Sequence, residues 1–309
     1  MRILFHDLTV DPEAWLAVLR QAFPEAQVQV WQPGAPQADY ALVWAPPQQL
    51  LDEQPRLKAL FNIAAGVDAL LKLRLPEDVP VFRLDDAGMA VQMAEYVCHA
   101  VIRHFREFDA LEADTRAGRW QQLKPRRRAD FPVGVMGLGV LGRRVLQALS
   151  AFEFPLRGWS RTPQTLDGVQ TFAGPEGLDG FLSASRVLVN LLPLTPETEN
   201  LLDRRTLGRL QPGGCLINVA RGRHLVDEDL LALLDSGHLA GATLDVFRQE
   251  PLPSDHAFWQ HPRITVTPHT SARTLREESL AQIVAKLRAL EAGASPATLG
   301  GWVRPQVGY

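Results

Sequence analysis

"VGVMGLGVLGRRVLQALS", residues 133–150, is the stretch on which the fold turns. A short apolar run ends in Gly137-x-Gly139-x-x-Gly142, and an amphipathic helical pattern follows at once. A GxGxxG on its own is a short pattern of a common residue. Set between a strand and a helix it marks a dinucleotide-binding turn. Gly137 permits the tight turn, Gly139 lets backbone N–H groups reach a pyrophosphate, and Gly142 lets the helix pack against the strand. The helix N-terminus adds unpaired N–H donors and a partial positive charge, both of which favour a dianionic group.

Working outward, "FPVGVMG", "FPLRGWS", "RVLVNLLP", "GCLINVA", "GATLDVF" and "RITVTPH" read as strands after Phe131. Near-continuous apolar strands of this kind belong to a parallel sheet buried on both faces. Before residue 90, "RILFHD", "QVQVW", "DYALVWA", "LKALFNIA" and "VPVFRLD" form a second such series. Between its first two strands, "DPEAWLAVLRQAF" starts a helix with Asp11 as N-cap and Pro12 at the first helical position. Its inward face is expected to carry Trp15, Leu16, Val18 and Leu19. Strand–helix alternation in both halves predicts an α/β protein with two doubly wound parallel sheets. A continuous helix is predicted over 90–118, stopped by Gly118, long enough to bridge domains or to face a second copy of the chain. "LKPRRRAD" (123–130) reads as a solvated connecting loop in preference to a phosphate site, and a last helix is predicted over 274–293.

The 309 residues carry a net charge of −3, which gives no reason to expect nucleic acid or an anionic membrane as partner. His6 and Asp7 interrupt the start, so no signal-peptide h-region is expected, and no apolar run is long enough to span a bilayer. Cys98 and Cys215 lie far apart in apolar surroundings and read as reduced core residues, which places the chain in the cytoplasm.

The second strand of a domain that binds NAD usually ends on an acid that accepts from the ribose hydroxyls. Here the strand ends on Ser160, Arg161 and Thr162, with Arg161 24 residues after Gly137. A guanidinium there donates to a 2′-phosphate in place of the carboxylate that would repel it. NADPH is therefore the expected cofactor, with NAD as the weaker alternative and no metal. NADPH pools are usually kept reduced, which argues for reduction as the working direction.

Three residues follow the C-terminal ends of later strands: Arg221, Glu250 and His269. Ligands of open α/β sheets bind at that edge. Reduction of a 2-oxo acid needs its carboxylate anchored, its carbonyl polarised and a proton delivered with the hydride. Arginine meets the first two demands by its bidentate geometry, and histidine suits acid–base work near neutral pH. A carboxylate on the other imidazole nitrogen would fix the tautomer.

"VMGLGVLGRRV", "NLLPLTPET", "INVARGRHLVDEDLL", "GATLDVFRQEPLP" and "TPHTSA" together resemble the D-isomer-specific 2-hydroxyacid dehydrogenase family, over nearly the whole chain. "FPLRGWSRT", "FWQHPRITVTPH" and the terminal "VGY" look most like its branch that reduces glyoxylate and hydroxypyruvate. The resemblance implies a Rossmann nucleotide domain, 93–275, inserted into a flavodoxin-like substrate domain built from 1–92 and 276–309. It implies that Arg221 binds and polarises the substrate, His269 donates the proton and Glu250 orients the histidine. It adds Val140, Leu141, Leu192, Pro193 and Ala220 to the cofactor site and sets Asp245 against the nicotinamide carboxamide. It assigns backbone N–H groups near Ala65 and Gly66 to the substrate carboxylate. From the residues alone, Gly66 fits such a nest and a plain turn equally well, and Trp44 reads as a core residue or as a pocket wall. After His269 the chain has Thr-Ser-Ala where many members have a small residue and glycine.

The expected activity is NADPH-dependent reduction of small 2-oxo acids, glyoxylate to glycolate and hydroxypyruvate to D-glycerate, by a homodimer. Two alternatives are weaker. A phosphoglycerate- or phenylpyruvate-type dehydrogenase is disfavoured by the absent acid and the lack of a regulatory extension. A dinucleotide-sensing binding protein on the same fold would need a partner-binding segment, for which 309 residues leave little room.

Overall fold

Buried, mostly apolar side chains at every strand position, as in Tyr40–Val43 and Ala59–Asn62, fill both faces of a sheet and demand helices on each. The computed structural model of the protein, which describes residues 1–67 and 69–303, meets that demand in two units; the "VGY" end lies outside the described residues. Unit 1 comprises Met1–Met89 with Thr274–Tyr309, and unit 2 comprises Ala90–Arg273.

Unit 1 holds strands β1 (Arg2–His6), β2 (Gln27–Val30), β3 (Tyr40–Val43), β4 (Ala59–Asn62) and β5 (Val81–Phe82). Its helices are α1 (Glu13–Ala22), α2 (Gln48–Glu53) and α9 (Arg276–Glu291), the numbering following the whole chain. The sheet runs β2-β1-β3-β4-β5 in parallel, with a two-residue strand, Trp302–Val303, antiparallel at the β5 edge. Ile3 and Phe5 pack with α1 and α9 on one face, while Leu4 packs with α2 on the other, the period-two alternation of a strand. Asp11 caps α1 by accepting from the Glu13 N–H (3.1 Å). Trp15, Leu16 and Leu19 are buried, but Val18, expected inside, is 38% exposed on the outer face.

Unit 2 has seven parallel strands. They are β6 (Val133–Met136), β7 (Leu156–Ser160), β8 (Val169–Ala173), β9 (Val187–Asn190), β10 (Gly214–Asn218), β11 (Leu239–Leu244) and β12 (Ile264–Val266). Their spatial order is β12-β11-β10-β9-β6-β7-β8. The chain lays β7 and β8 to one side of β6 and then returns to lay β9 to β12 on the other. The switch point therefore falls between β6 and β9, at whose carboxyl ends ligands bind. One face of the sheet is covered by α3 (Met89–Arg106) and α5 (Val140–Ser150), through Val97, Val101, Val145 and Leu149. The other is covered by α6 (Gly174–Ser183), the short α7 (Arg204–Leu207) and α8 (Asp227–Asp235), through Phe181, Leu182, Leu207, Leu230 and Leu234. β8 was not foreseen, because "VQTFA" at the sheet edge is only partly buried and shows no continuous apolar run.

The helix predicted over 90–118 is broken. Glu107 adopts a left-handed conformation (φ 55°), and α4 (Phe108–Arg116) leaves at a new angle. The break is stapled by charge: Arg103 reaches Asp109 and Glu112 across it, and Arg126 pairs with Glu107 (2.7 Å). Apolar periodicity persists through the break, which is why sequence alone read one helix. α4 buries no side chain. The 123–130 loop is tied down by its arginines, Arg126 donating to the His104 carbonyl and Arg128 to the Phe152 carbonyl.

Candidate active site

The glycine turn follows β6, and each glycine has its own reason. Gly137 takes φ 101°, which L side chains rarely adopt, and a Cβ there would press on the Leu191 carbonyl. A Cβ on Gly142 would run into the Gly137 carbonyl oxygen, so this glycine is what closes helix on strand. Gly139 differs: its backbone is extended, and a Cβ would meet no atom of the chain within 4 Å. The open space lies at the N-terminus of α5, where a pyrophosphate is received by backbone N–H groups. The turn thus fits a dinucleotide. Val140 is exposed at the first turn of α5, and Leu141 leans on the core below.

At the end of β7, Ser160 is buried and its Oγ donates to the Thr162 carbonyl (2.8 Å), shaping the turn that presents Arg161. Arg161 and Thr162 are exposed. Arg143, on α5, donates to Gln164 and to the Leu138 carbonyl, joining this turn to the glycine turn. Leu192 is buried just past β9, and Pro193 presents its carbonyl to Thr198 Oγ1 (2.7 Å). Ala220 is buried just past β10, accepting from Arg221 Nη1 at its carbonyl (2.6 Å).

Of the three candidates past the strand ends, two are in direct contact, His269 and Glu250. His269 Nδ1 donates to Glu250 Oε2 (2.7 Å), which leaves Nε2 as the atom able to carry a second, transferable proton. Glu250 Oε1 accepts from the Phe247 N–H (2.9 Å). Burial works against the Glu250 charge, but His269, the Phe247 N–H and the Arg221 guanidinium outweigh it and hold the carboxyl below its usual range. Arg221 is the smallest of these influences on the carboxyl, and its Nη1 donates to the Ala220 carbonyl.

His269 itself sits at φ 49°, a strained setting for a residue with a Cβ. Its N–H donates to the carbonyls of Asp245 (2.8 Å) and Thr267 (3.1 Å). Asp245 lies at the end of β11, fully buried, and organises the rest of the loop. Its Oδ1 accepts from Thr267 Oγ1 (2.6 Å) and the Thr270 N–H (2.8 Å), and its Oδ2 accepts from the Ser271 N–H (2.8 Å). Tyr96 OH meets Thr267 Oγ1 (2.5 Å), anchoring the same loop to α3. The expectation set Asp245 against a carboxamide; the contacts it makes within the chain are those that hold His269. The two donors after the histidine are backbone N–H groups, which a small residue and glycine would supply equally, so these bonds do not explain Thr-Ser-Ala there. Sequence reasoning missed Tyr96 and Thr267, whose only signal was a polar group among apolar neighbours.

In unit 1, Asn62 ends β4 and donates from Nδ2 to the carbonyls of Ala64 and Gly66 (2.8 Å each). A planar trans peptide puts the following N–H on the opposite side, so the Ala65 N–H turns away from Asn62. The one side-chain amide holds both carbonyls and so fixes the turn after β4 that carries Ala65 and Gly66. Trp44 is half-buried and packs on the core below the sheet. Among the described residues no cluster of His, Cys, Asp and Glu suits a metal, and no helix is long and apolar enough to cross a membrane.

A family model described as D-isomer specific 2-hydroxyacid dehydrogenase, NAD binding domain, matches residues 98–271. A curated protein of Serratia proteamaculans (strain 568), named glyoxylate/hydroxypyruvate reductase A, is 49% identical over 316 residues, covering 100% of both chains. Among solved structures, a D-isomer specific 2-hydroxyacid dehydrogenase from Xanthobacter autotrophicus Py2, in complex with NADPH and MES, superposes with a TM-score of 0.93. It is 40% identical and covers 100% of this chain and 99% of that one. An NADPH-dependent glyoxylate/hydroxypyruvate reductase from Sinorhizobium meliloti, in complex with NADP and sulfate, gives 0.91 at 35% identity with the same coverage.

Proposed function

Since the chain belongs to the D-isomer-specific 2-hydroxyacid dehydrogenase family, we propose that it is an NADPH-preferring reductase of small 2-oxo acids. It converts glyoxylate to glycolate and hydroxypyruvate to D-glycerate, with NADH as the weaker cofactor. The observation that carries this reading is the His269–Glu250 pair, 2.7 Å apart and within the field of Arg221, at the strand ends of a dinucleotide-binding sheet.

Bound NADPH supplies the hydride. Arg221 anchors the substrate carboxylate and polarises the carbonyl, drawing charge toward the oxygen. His269 gives its Nε2 proton to that oxygen as charge develops, and Glu250, bonded to Nδ1, stabilises the protonated ring and keeps it facing the reaction. Asp245 holds the strained loop that carries the histidine. Gly137, Gly139, Val140, Leu141 and Gly142 receive the pyrophosphate. Arg161, presented by Ser160 and Thr162, receives the 2′-phosphate, while Leu192, Pro193 and Ala220 line the cofactor. In unit 1 the N–H groups at Ala65 and Gly66 offer a site for a carboxylate.

The protein works as a homodimer. No side chain of α4 is fully buried among the described residues, and Trp120, just beyond it, is 96% exposed. Buried, unpaired Cys98 and Cys215 accord with a reducing cytoplasm. The test is a kinetic panel of 2-oxo acids with both cofactors: glyoxylate and hydroxypyruvate are expected to give the highest kcat/KM, and with NADPH. Turnover confined to branched or phosphorylated acids, or to NADH, would reject the reading.

A further inference from the structure

Three polar side chains lie fully buried inside unit 2 without a part in the reaction as described above: Asn190, Asn218 and His224. Asn190 ends β9, Asn218 ends β10, and His224 closes the short turn Gly222–His224 that follows Arg221.

Their hydrogen bonds can be oriented without ambiguity. The Leu192 N–H donates to Asn190 Oδ1 (3.2 Å), and because a backbone N–H only donates, it fixes which way the amide points. Asn190 Nδ2 then donates to Asn218 Oδ1 (3.0 Å) and to His224 Nδ1 (2.9 Å). Asn218 Oδ1 also accepts from the Ala220 N–H (3.3 Å), and Asn218 Nδ2 donates to the Arg221 carbonyl (3.2 Å). A ring nitrogen that accepts carries no proton, so the His224 proton sits on Nε2, which donates to the Pro193 carbonyl (3.2 Å). One continuous chain of bonds therefore runs from Pro193 through His224, Asn190 and Asn218 to the backbone of Arg221.

Burying these groups is costly in itself, and apolar residues of the same volume would fill the space without desolvation. What they add is direction. The network ends on the loop that lines the cofactor at one side and on the residue that anchors the substrate at the other. We propose that His224 is a positioning residue whose two ring nitrogens serve two binding surfaces. Nε2 sets the Leu192–Pro193 loop for the cofactor, and Nδ1, through the two asparagines, sets Arg221 for the 2-oxo acid. This rests on the assignment of those segments under the proposed function.

Two variants separate the arms. His224→Asn places its amide where Nδ1 was, keeps an acceptor for Asn190 and no longer reaches Pro193. His224→Gln reaches Pro193 and gives up the acceptor. The readouts are the NADPH Kd from fluorescence titration, the KM for glyoxylate and the Tm. His224→Asn is expected to weaken NADPH roughly tenfold with the glyoxylate KM within about twofold, and His224→Gln to do the reverse, each the scale of one lost buried hydrogen bond. Equal shifts of both constants in both variants, or a lower Tm with neither constant moved, would show a purely structural residue and overturn the proposal. Asn218→Ser shortens the Arg221 arm without altering the ring. It is expected to raise the glyoxylate KM alone, and a parallel change in the NADPH Kd would contradict the division even if the His224 variants fail to fold. Failure of the functional reading looks different: the unaltered protein would bind NADPH and turn over neither acid.

Discussion

At the scale of single residues, the site is a set of charges whose neighbours decide their state. His269→Ala removes the proposed proton donor and is expected to lower kcat by about 10²–10⁴ while the NADPH Kd stays within a factor of about two, because the ring is not part of the glycine turn. Steady-state rates and a fluorescence titration check both halves. Arg161 stands where an acid would reject a 2′-phosphate, and charge-assisted bonds to phosphate are worth about 1.5–3 kcal/mol. Arg161→Ala should therefore lower the NADPH-to-NADH ratio of kcat/KM by about ten- to a hundredfold; an unchanged ratio would remove the arginine from the cofactor site. Glu250 makes a pH prediction. Its folded carboxyl lies below the ordinary value of 4.5, so the charged form stabilises the fold. That contribution is complete above the unfolded value and is lost as pH falls through the lower folded one. Tm against pH should show this acid limb, and Glu250→Gln should flatten it while lying below the unaltered protein at neutral pH.

At the scale of elements, Gly139 and Gly142, at the start of α5, are there for different reasons. A Cβ on Gly142 collides with the Gly137 carbonyl, whereas one on Gly139 enters open space. Gly142→Ala should lower stability by about 1–3 kcal/mol, the range for overpacking a tight contact. Gly139→Ala should leave the Tm of the free protein unchanged and still weaken NADPH, since only the ligand competes for that space. Thermal melts with and without NADPH separate the two; a Gly139→Ala protein with unaltered affinity would mean the pyrophosphate does not sit there. The elements also mark where sequence reading succeeded. Apolar runs such as "GCLINVA" and "ALFN" announce strands because both faces of each sheet must be filled. The break at Glu107 announced nothing, because apolar periodicity runs through it and the ion pairs that tie it, Arg103 to Asp109 and Glu112 and Arg126 to Glu107 itself, leave no periodic signal.

At the scale of the whole molecule, α4 has no fully buried side chain among the described residues and Trp120 is 96% exposed. A homodimer that covers them should show twice the mass of 34.2 kDa by light scattering. Trp120→Asp should shift the balance toward the monomer, and a monomer in the unaltered protein would end the assignment. By itself the sequence determined the α/β class, the glycine turn, the presence of Arg161 in place of an acid after the second strand, and the order Arg221, Glu250, His269. Each of these is written in local spacing: a period of two, a motif a few residues long, or one polar residue past a strand end. Only the tertiary structure decided the rest. The bend at Glu107, the buried Asp245 that holds the His269 loop, and the path from Pro193 to Arg221 through His224 each join residues far apart in the chain. A hydrogen bond is selected by distance in space, and no periodicity along the chain records which strand ends will meet.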